Sequence, residues 1–334
     1  MPPITPSFMT PEPTHASDDV TGTVSAQAGD TGSMPFVQRI GASPLVTPTP
    51  AGLVLPPEPG TRVGTYVLQN KLGEGVSCHV FRGREDGLGH SVALKILNWA
   101  NVYDRPAAMK QLRMEAAALS RVKHPSVVKF LDFGFDPRWP YLVTEFVEGQ
   151  PLGELLRDGG ALPAKWSVFL ISQMVEALGA VWRAGLVHRD VKPDNILVGP
   201  TGLGKLIDFG LAKSDAIQAS QPPAAPEMAG TAAYLAPEQA KDAGAVDRRA
   251  DIYSLGVTLY EAMTGRLPFE ARNRVQMIFQ HMTTPPVPPV QRVPEIPELA
   301  SDLCLWMLSK DPADRPQNYE ELRQAFDTVM SSMR

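Results

Sequence analysis

Three charged positions stand in order along the 334-residue chain: Lys95 in VALKI, Asp190 in HRDVKPDN, and Asp208 in the DFG that follows Leu206 and Ile207. A nucleoside triphosphate with its magnesium presents crowded anionic oxygens. A site for it needs a fixed cation, carboxylates for the metal and a group that orients an attacking hydroxyl. The sequence holds a candidate for each, with a glycine-rich stretch, GEGVSCHV, ahead of Lys95. Eighteen residues separate Asp190 from Asp208, so two loops supply the oxygen ligands and the hydroxyl-facing carboxylate. Asp190, Asp194 and Asn195 also read as turn formers, a role Asp and Asn often fill. The spacing of the whole set, four motifs over about 135 residues, argues for chemistry instead.

These groups need elements to carry them. Gly73 and Gly75 lie between two strand patterns, the arrangement of a hairpin whose backbone can approach phosphates because no side chain intervenes. Strand-like patterning runs over Thr65–Leu72, His79–Arg84 and Ser91–Leu97, which predicts an antiparallel meander. In the third strand Val92, Leu94 and Ile96 alternate with Ala93 and Lys95, so the ammonium ends on a buried or cleft-facing side and needs an anion. A helix follows over Arg105–Arg121, with Asp104 as N-cap and Leu112, Ala116 and Leu119 on its apolar stripe. Glu115 falls on that stripe, where an unpaired carboxylate is costly, and a pair with Lys95 accounts for both residues. Two further strands are expected at Val127–Phe133 and Tyr141–Phe146. Helices are expected from Ile171 to Trp182, at Asp251–Met263 and at Leu299–Met307. Strands first and helices later predict an α+β fold in two lobes.

From about Thr65 to Met330 the sequence resembles a protein kinase domain, similar to the eukaryotic-like Ser/Thr kinases of bacteria. Besides the motifs above it carries YLVTEFVEG, GTAAYLAPE, DIYSLG and DPADRP. The resemblance implies a two-lobed protein-kinase fold, with a five-stranded antiparallel N-lobe sheet plus one helix over 65–146 and a mainly helical C-lobe over 150–330. It implies Asp190 as catalytic base, Lys192 as γ-phosphate contact, Lys95 and Glu115 as the phosphate-holding pair, and Asn195 and Asp208 as metal ligands. Leu72, Gly73, Glu74 and Gly75 would cover the nucleotide. Val80, Ala93 and Leu197 would sandwich the base, Glu145 and Val147 would contact adenine through their backbone, and Thr144 would be the gatekeeper. His188, Phe209, Leu119 and Phe130 match a stacked spine, and Glu238 and Arg315 a buried ion pair. The third glycine of the phosphate loop is replaced by Cys78, read as a tolerated small residue rather than a redox switch.

The activity that the resemblance implies is ATP- and Mg²⁺-dependent phosphoryl transfer to Ser/Thr hydroxyls of protein substrates, with Mn²⁺ as an alternative metal and autophosphorylation within signalling. Lys192 and Thr231 match the Ser/Thr-directed class. Arg189 is a partner for a phosphate in the Ser214–Gly230 segment, where Ser214 and Ser220 are the hydroxyls. Two other readings stand beside this one: a nucleotide-binding pseudokinase scaffold, and a small-molecule kinase, against which GTAAYLAPE speaks as a peptide platform.

Composition sets the remaining limits. The net charge of −5 is concentrated in residues 1–60, where five acids face one base, and the body is near neutral with no basic stripe for nucleic acid. Those 60 residues hold 12 of the 33 prolines and 13 Ser or Thr without periodicity, and are expected to be a disordered tail. Thr47 and Thr49 in it are candidate phosphorylation sites, and the tail a candidate docking segment for partners. No apolar run is long enough to span a membrane, no secretory signal opens the chain, and two cysteines suit a reducing compartment, so a cytoplasmic location is expected.

Overall fold

A computed structural model describes residues 56–75, 77–102, 104–136, 138–209, 213–214, 231–241 and 246–333, with the backbone alone at 213, 214 and 231. The expected tail up to residue 55, with Thr47 and Thr49, lies outside the described residues, as do Ser220, most of the Ser214–Gly230 segment and the side chain of Thr231.

The first part of the chain is a sheet. Its strands are β1 (Arg62–Val63), β2 (Tyr66–Glu74), β3 (Cys78–Glu85), β4 (Ser91–Leu97), β5 (Phe130–Gly134) and β6 (Tyr141–Glu145), in the spatial order β1-β2-β3-β4-β6-β5. The meander β2-β3-β4 is antiparallel as its alternation predicts. The sheet has six strands rather than the expected five, because Arg62 and Val63 pair with Val67 and Tyr66. The expected strand from Val127 begins only at Phe130, for a reason of partner choice. Val127 forms a parallel bridge to Leu206, and the Val128 N–H donates to the Leu206 carbonyl at 3.0 Å, so these residues pair across to the second lobe. On β4 Val92, Leu94 and Ile96 are buried among Tyr66, Leu68, Phe81 and Val143, which leaves Ala93 and Lys95 on the opposite, half-buried face.

Between β4 and β5 runs α1 (Arg105–Arg121), with the Asp104 side chain accepting the Ala107 N–H at 2.9 Å as its N-cap. After β6 come β7 (Gln150–Pro151), α2 (Leu152–Gly159) and α3 (Ala164–Arg183). Next are β8 (Leu186–Val187), a 3₁₀ turn at Pro193–Asn195, β9 (Ile196–Val198), β10 (Gly204–Leu206) and β11 (Lys213–Ser214). A 3₁₀ turn at Thr231–Tyr234 leads to α4 (Pro237–Lys241), α5 (Arg248–Thr264), α6 (Arg274–Thr283), α7 (Pro289–Arg292), α8 (Glu298–Met307) and α9 (Tyr319–Ser332). Helix α5 is apolar or small on nearly every side, and every residue from Ala250 to Tyr260 is buried, so it is the axis on which the helical lobe packs. Gly256 permits that packing: a Cβ there would stand 2.8 Å from the Met307 Cβ, too close for two helices to meet.

Candidate active site

Three strands and one helix bring the first cluster together. Lys95 lies opposite Val80 on β3 and Leu142 on β6, and Glu115 reaches it from α1. The Lys95 ammonium donates to Glu115 Oε1 at 2.7 Å and Oε2 at 2.9 Å, and to Asp208 Oδ1 at 2.9 Å. Burial opposes charge on Lys95, but Asp208 and Glu115 outweigh it and hold the ammonium well above its ordinary range. Burial likewise pushes Glu115 up, against the downward pull of Lys95. Asp208 has a left-handed backbone, φ 61°, a sparsely populated conformation for a residue with a Cβ.

The second cluster sits on the loop between β8 and β9. Lys192 Nζ donates to Asp190 at 2.8 and 3.1 Å. Asn195 Nδ2 donates to the Asp190 carbonyl at 2.7 Å and to its Oδ2 at 2.9 Å. That use of the amide nitrogen leaves the Asn195 Oδ1 as the oxygen a metal would take. Asp190 and Asn195 are both buried.

A hairpin joins the clusters. Strands β9 and β10 pair Ile196 with Leu206, and the Ile207 N–H donates to the Asn195 carbonyl at 2.9 Å, so the two loops that are separate in sequence run side by side. The structure therefore brings Lys95, Glu115 and Asp208 into one network beside Asp190, Lys192 and Asn195.

The glycine-rich turn closes β2 onto β3, with Gly73 opposite Val80 and the Gly75 N–H donating to the Cys78 carbonyl at 2.8 Å. A Cβ at Gly73 would meet no protein atom within 4 Å, so the backbone there is open to a ligand. Leu72 is exposed at the same turn, and the Glu74 side chain pairs with Lys71 at 2.5 Å. Burial pushes the Cys78 thiol up despite nearby Lys95, which suits a packed small residue and not a reactive thiolate. Ala93 lies opposite Thr144, and Val92 opposite Glu145. The Glu145 carboxylate accepts from Lys205 at 2.7 Å and from the Lys129 N–H at 2.9 Å, which fixes the connection between lobes. Val80, Ala93, Val147 and Leu197 are half-buried.

The remaining matched groups also find partners. His188 and Phe209 meet edge to face with ring centroids 4.9 Å apart. The Arg315 guanidinium is fully buried, and each of its five N–H groups has an acceptor. Two go to Glu238 at 2.7 and 2.8 Å, and the others to the carbonyls of Ser309, Arg249 and Lys310.

Some supporting residues escape sequence reasoning. Asp251, at the start of α5, accepts the backbone N–H groups of His188 at 2.8 Å and Arg189 at 2.7 Å. Burial pushes its carboxyl up while these donors draw it down. Arg189 itself has a left-handed backbone, φ 69°, and Gln239 donates to its carbonyl at 3.2 Å. Asp251 opens the DIYSLG motif, which marks its helix, but nothing in that motif says that its carboxylate faces the Asp190 loop.

Residues 66–326 match the model of the protein kinase domain. The chain belongs to the protein kinase family. It is 37% identical over 250 residues to the serine/threonine-protein kinase PknL of Mycobacterium tuberculosis, covering 75% of this chain and 62% of that protein. It is 34% identical over 276 residues to the serine/threonine-protein kinase Pkn1 of Myxococcus xanthus, 81% of this chain and 39% of the relative. With the serine/threonine-protein kinase PknB of Mycobacterium leprae it shares 35% identity over 270 residues, 80% and 43% of the two chains. This kinase chain thus spans less than two thirds of the length of these relatives. Among the described residues no helix is long and apolar enough to cross a membrane.

One carboxylate, of Asp208, and one amide oxygen, of Asn195, are oxygen donors of the kind that fit a hard divalent cation. Among the described residues no group of three or more His, Cys, Asp or Glu offers a metal site of another kind.

Proposed function

We propose that this chain is a protein Ser/Thr kinase that transfers the γ-phosphate of ATP to hydroxyls of protein substrates, with autophosphorylation as one outcome and signalling as its setting. The observation that carries the reading is the Lys95 ammonium, held between Glu115 and Asp208 next to the loop bearing Asp190. Lys95 would hold the nucleotide phosphates, with Glu115 keeping the ammonium in place. Leu72, Gly73, Glu74 and Gly75 would cover the phosphates from above. Val80, Ala93 and Leu197 would hold the base, which Glu145 and Val147 would meet through their backbone beside Thr144.

In the transfer, the acceptor oxygen forms a bond to the γ-phosphorus as the bond to the β-bridging oxygen breaks, and ADP leaves. Asp190 orients the hydroxyl and receives its proton. Lys192, bonded to Asp190, places positive charge where the transferring group is anionic. Asn195 and Asp208 would hold Mg²⁺, or Mn²⁺ in its place, which when bound neutralises the phosphate oxygens. The names of the relatives support Ser/Thr as acceptors. ATP as substrate and two unpaired thiols, Cys78 and Cys304, support a cytoplasmic setting.

A pseudokinase scaffold would lack one of these groups, and each is present. Incubation with labelled ATP and magnesium tests the reading. Transfer to a Ser/Thr protein by the wild type, lost in Asp190→Asn, is expected; ATP binding without any transfer would overturn it.

A further inference from the structure

The 3₁₀ turn Thr231–Tyr234 borders the Asp190 loop: it continues into Ala236, whose N–H donates to Gln239 Oε1 at 3.0 Å, and Gln239 in turn donates to the Arg189 carbonyl. Helix α5 holds this turn at Tyr234. The Ser254 hydroxyl donates to the Tyr234 carbonyl at 2.7 Å, and the Tyr234 hydroxyl donates to Glu261 at 2.6 Å. A different helix holds Ala233. His281, on α6 and 1% exposed, meets the Ala233 carbonyl through Nε2 at 3.0 Å and the Tyr253 hydroxyl through Nδ1 at 2.9 Å.

The direction of these bonds follows from the chemistry of their ends. A carbonyl only accepts, so Nε2 carries the proton. With the proton of the neutral ring on Nε2, Nδ1 is an acceptor and the Tyr253 hydroxyl donates to it, while the Lys310 ammonium donates to the Tyr253 oxygen at 3.3 Å. The relay therefore runs from Lys310 through Tyr253 and a neutral His281 to Ala233. Phe269 packs edge to face on the imidazole, 4.9 Å between centroids, and the Lys310 ammonium lies 4.3 Å from the centre of the Phe269 ring. Burial, with Lys310 adding to it, pushes His281 down to about 4, which keeps it neutral.

We propose that His281 is a positioning residue for the acceptor substrate, locking the turn that flanks the Asp190 loop in the orientation that presents a hydroxyl-bearing chain. This rests on the kinase reading above. Its effect belongs to the acceptor and not to ATP, since the hydrogen bonds of His281 go to Tyr253 and to Ala233 in the turn.

The test compares wild type, His281→Phe and His281→Gln with the best acceptor peptide drawn from a degenerate Ser/Thr library, measuring KM for peptide, KM for ATP and kcat. His281→Phe is expected to raise peptide KM about 5- to 10-fold, the worth of one oriented hydrogen bond, with ATP KM within about twofold. His281→Gln, whose amide N–H can reach the same carbonyl, is expected to recover most of that loss. An unchanged peptide KM in His281→Phe, equal losses in both KM values, or no recovery by His281→Gln overturns the proposal. If His281→Phe does not fold, Tyr253→Phe decides alone: it removes only the hydroxyl that fixes the imidazole, and peptide KM is expected to rise about 3-fold with ATP KM unchanged. A wild type that labels no peptide would sink the kinase reading itself and this proposal with it. Normal wild-type transfer with unaltered variants would sink this proposal alone.

Discussion

Asp251 accepts the backbone N–H of His188 at 2.8 Å across 63 residues of sequence, and with the neighbouring Arg189 N–H it fastens the Asp190 loop to the central helix of the second lobe. Arg189 is held in a left-handed conformation that the loop would not keep by itself. Asp190 is thereby placed by a buried carboxylate that holds the two residues before it.

Asp251→Ala leaves two buried N–H groups without an acceptor. We expect a stability loss of about 2–5 kcal/mol and a fall in kcat of roughly 10-fold or more, since the loop loses its anchor. Urea denaturation and single-turnover transfer measure the two effects, and a full-rate, wild-type-stable variant would contradict the anchoring role.

Lys95→Met and Asp190→Asn act on the reaction by different routes. Removing the ammonium should lower transfer by roughly 100-fold or more and leave Glu115 buried without its partner, so that the carboxyl takes up a proton. Removing the base should cost about 10²–10⁴ in kcat with ATP affinity unchanged. Label transfer together with ATP titration calorimetry separates the two. An active Asp190→Asn enzyme would mean that another group takes the hydroxyl proton.

Asp208→Asn is expected to raise the magnesium concentration needed for half-maximal transfer by about 10-fold or more, because a carboxylate is a stronger ligand for a hard cation than an amide. A metal titration of transfer rate reads this directly. An unshifted magnesium curve would place the metal elsewhere.

Arg315→Leu strips Glu238 of its bidentate partner and three carbonyls of their donor. The expected cost is about 3–5 kcal/mol, as for other broken buried pairs. Glu238→Gln, which keeps an acceptor for one N–H, should cost less, and chemical denaturation of both variants gives the order.

His281 predicts a pH dependence of stability. Its folded value of about 4 lies below the ordinary 6.5, so between these values the unfolded chain binds the proton and the folded chain does not. Its contribution is complete above pH 6.5 and disappears as pH falls toward 4, roughly 3 kcal/mol in all. The charged groups facing it, Lys310 and beyond Tyr253 the guanidinium of Arg315, keep their charge over this range. Unfolding free energies measured from pH 7 to pH 4 should therefore fall more steeply in wild type than in His281→Gln, and parallel curves would refute the assignment.

Much of this molecule is local and so could be read from the sequence. The helix over Arg105–Arg121 needs only its period and the Asp104 cap, and the outward face of Lys95 needs only strand alternation. The pairing of Lys95 with Glu115 comes from the cost of two charges on apolar elements. Partner choice at long range was not legible in this way. The sequence around Val127 carries the pattern of a strand but not the information that Leu206 is its partner, and nothing in the pattern of α6 marks His281 as the residue facing Ala233.

The amino-acid sequence by itself determined the element types, the family motifs and which charges require partners, because propensity, periodicity and desolvation act over a few residues. Only the tertiary structure decided that Asp251 would hold the Asp190 loop, that Arg315 would find five acceptors, and that α6 would grip the turn beside the cleft. Those contacts join residues tens of positions apart, and what selects them is the packing of whole helices around α5, which no short stretch of sequence encodes.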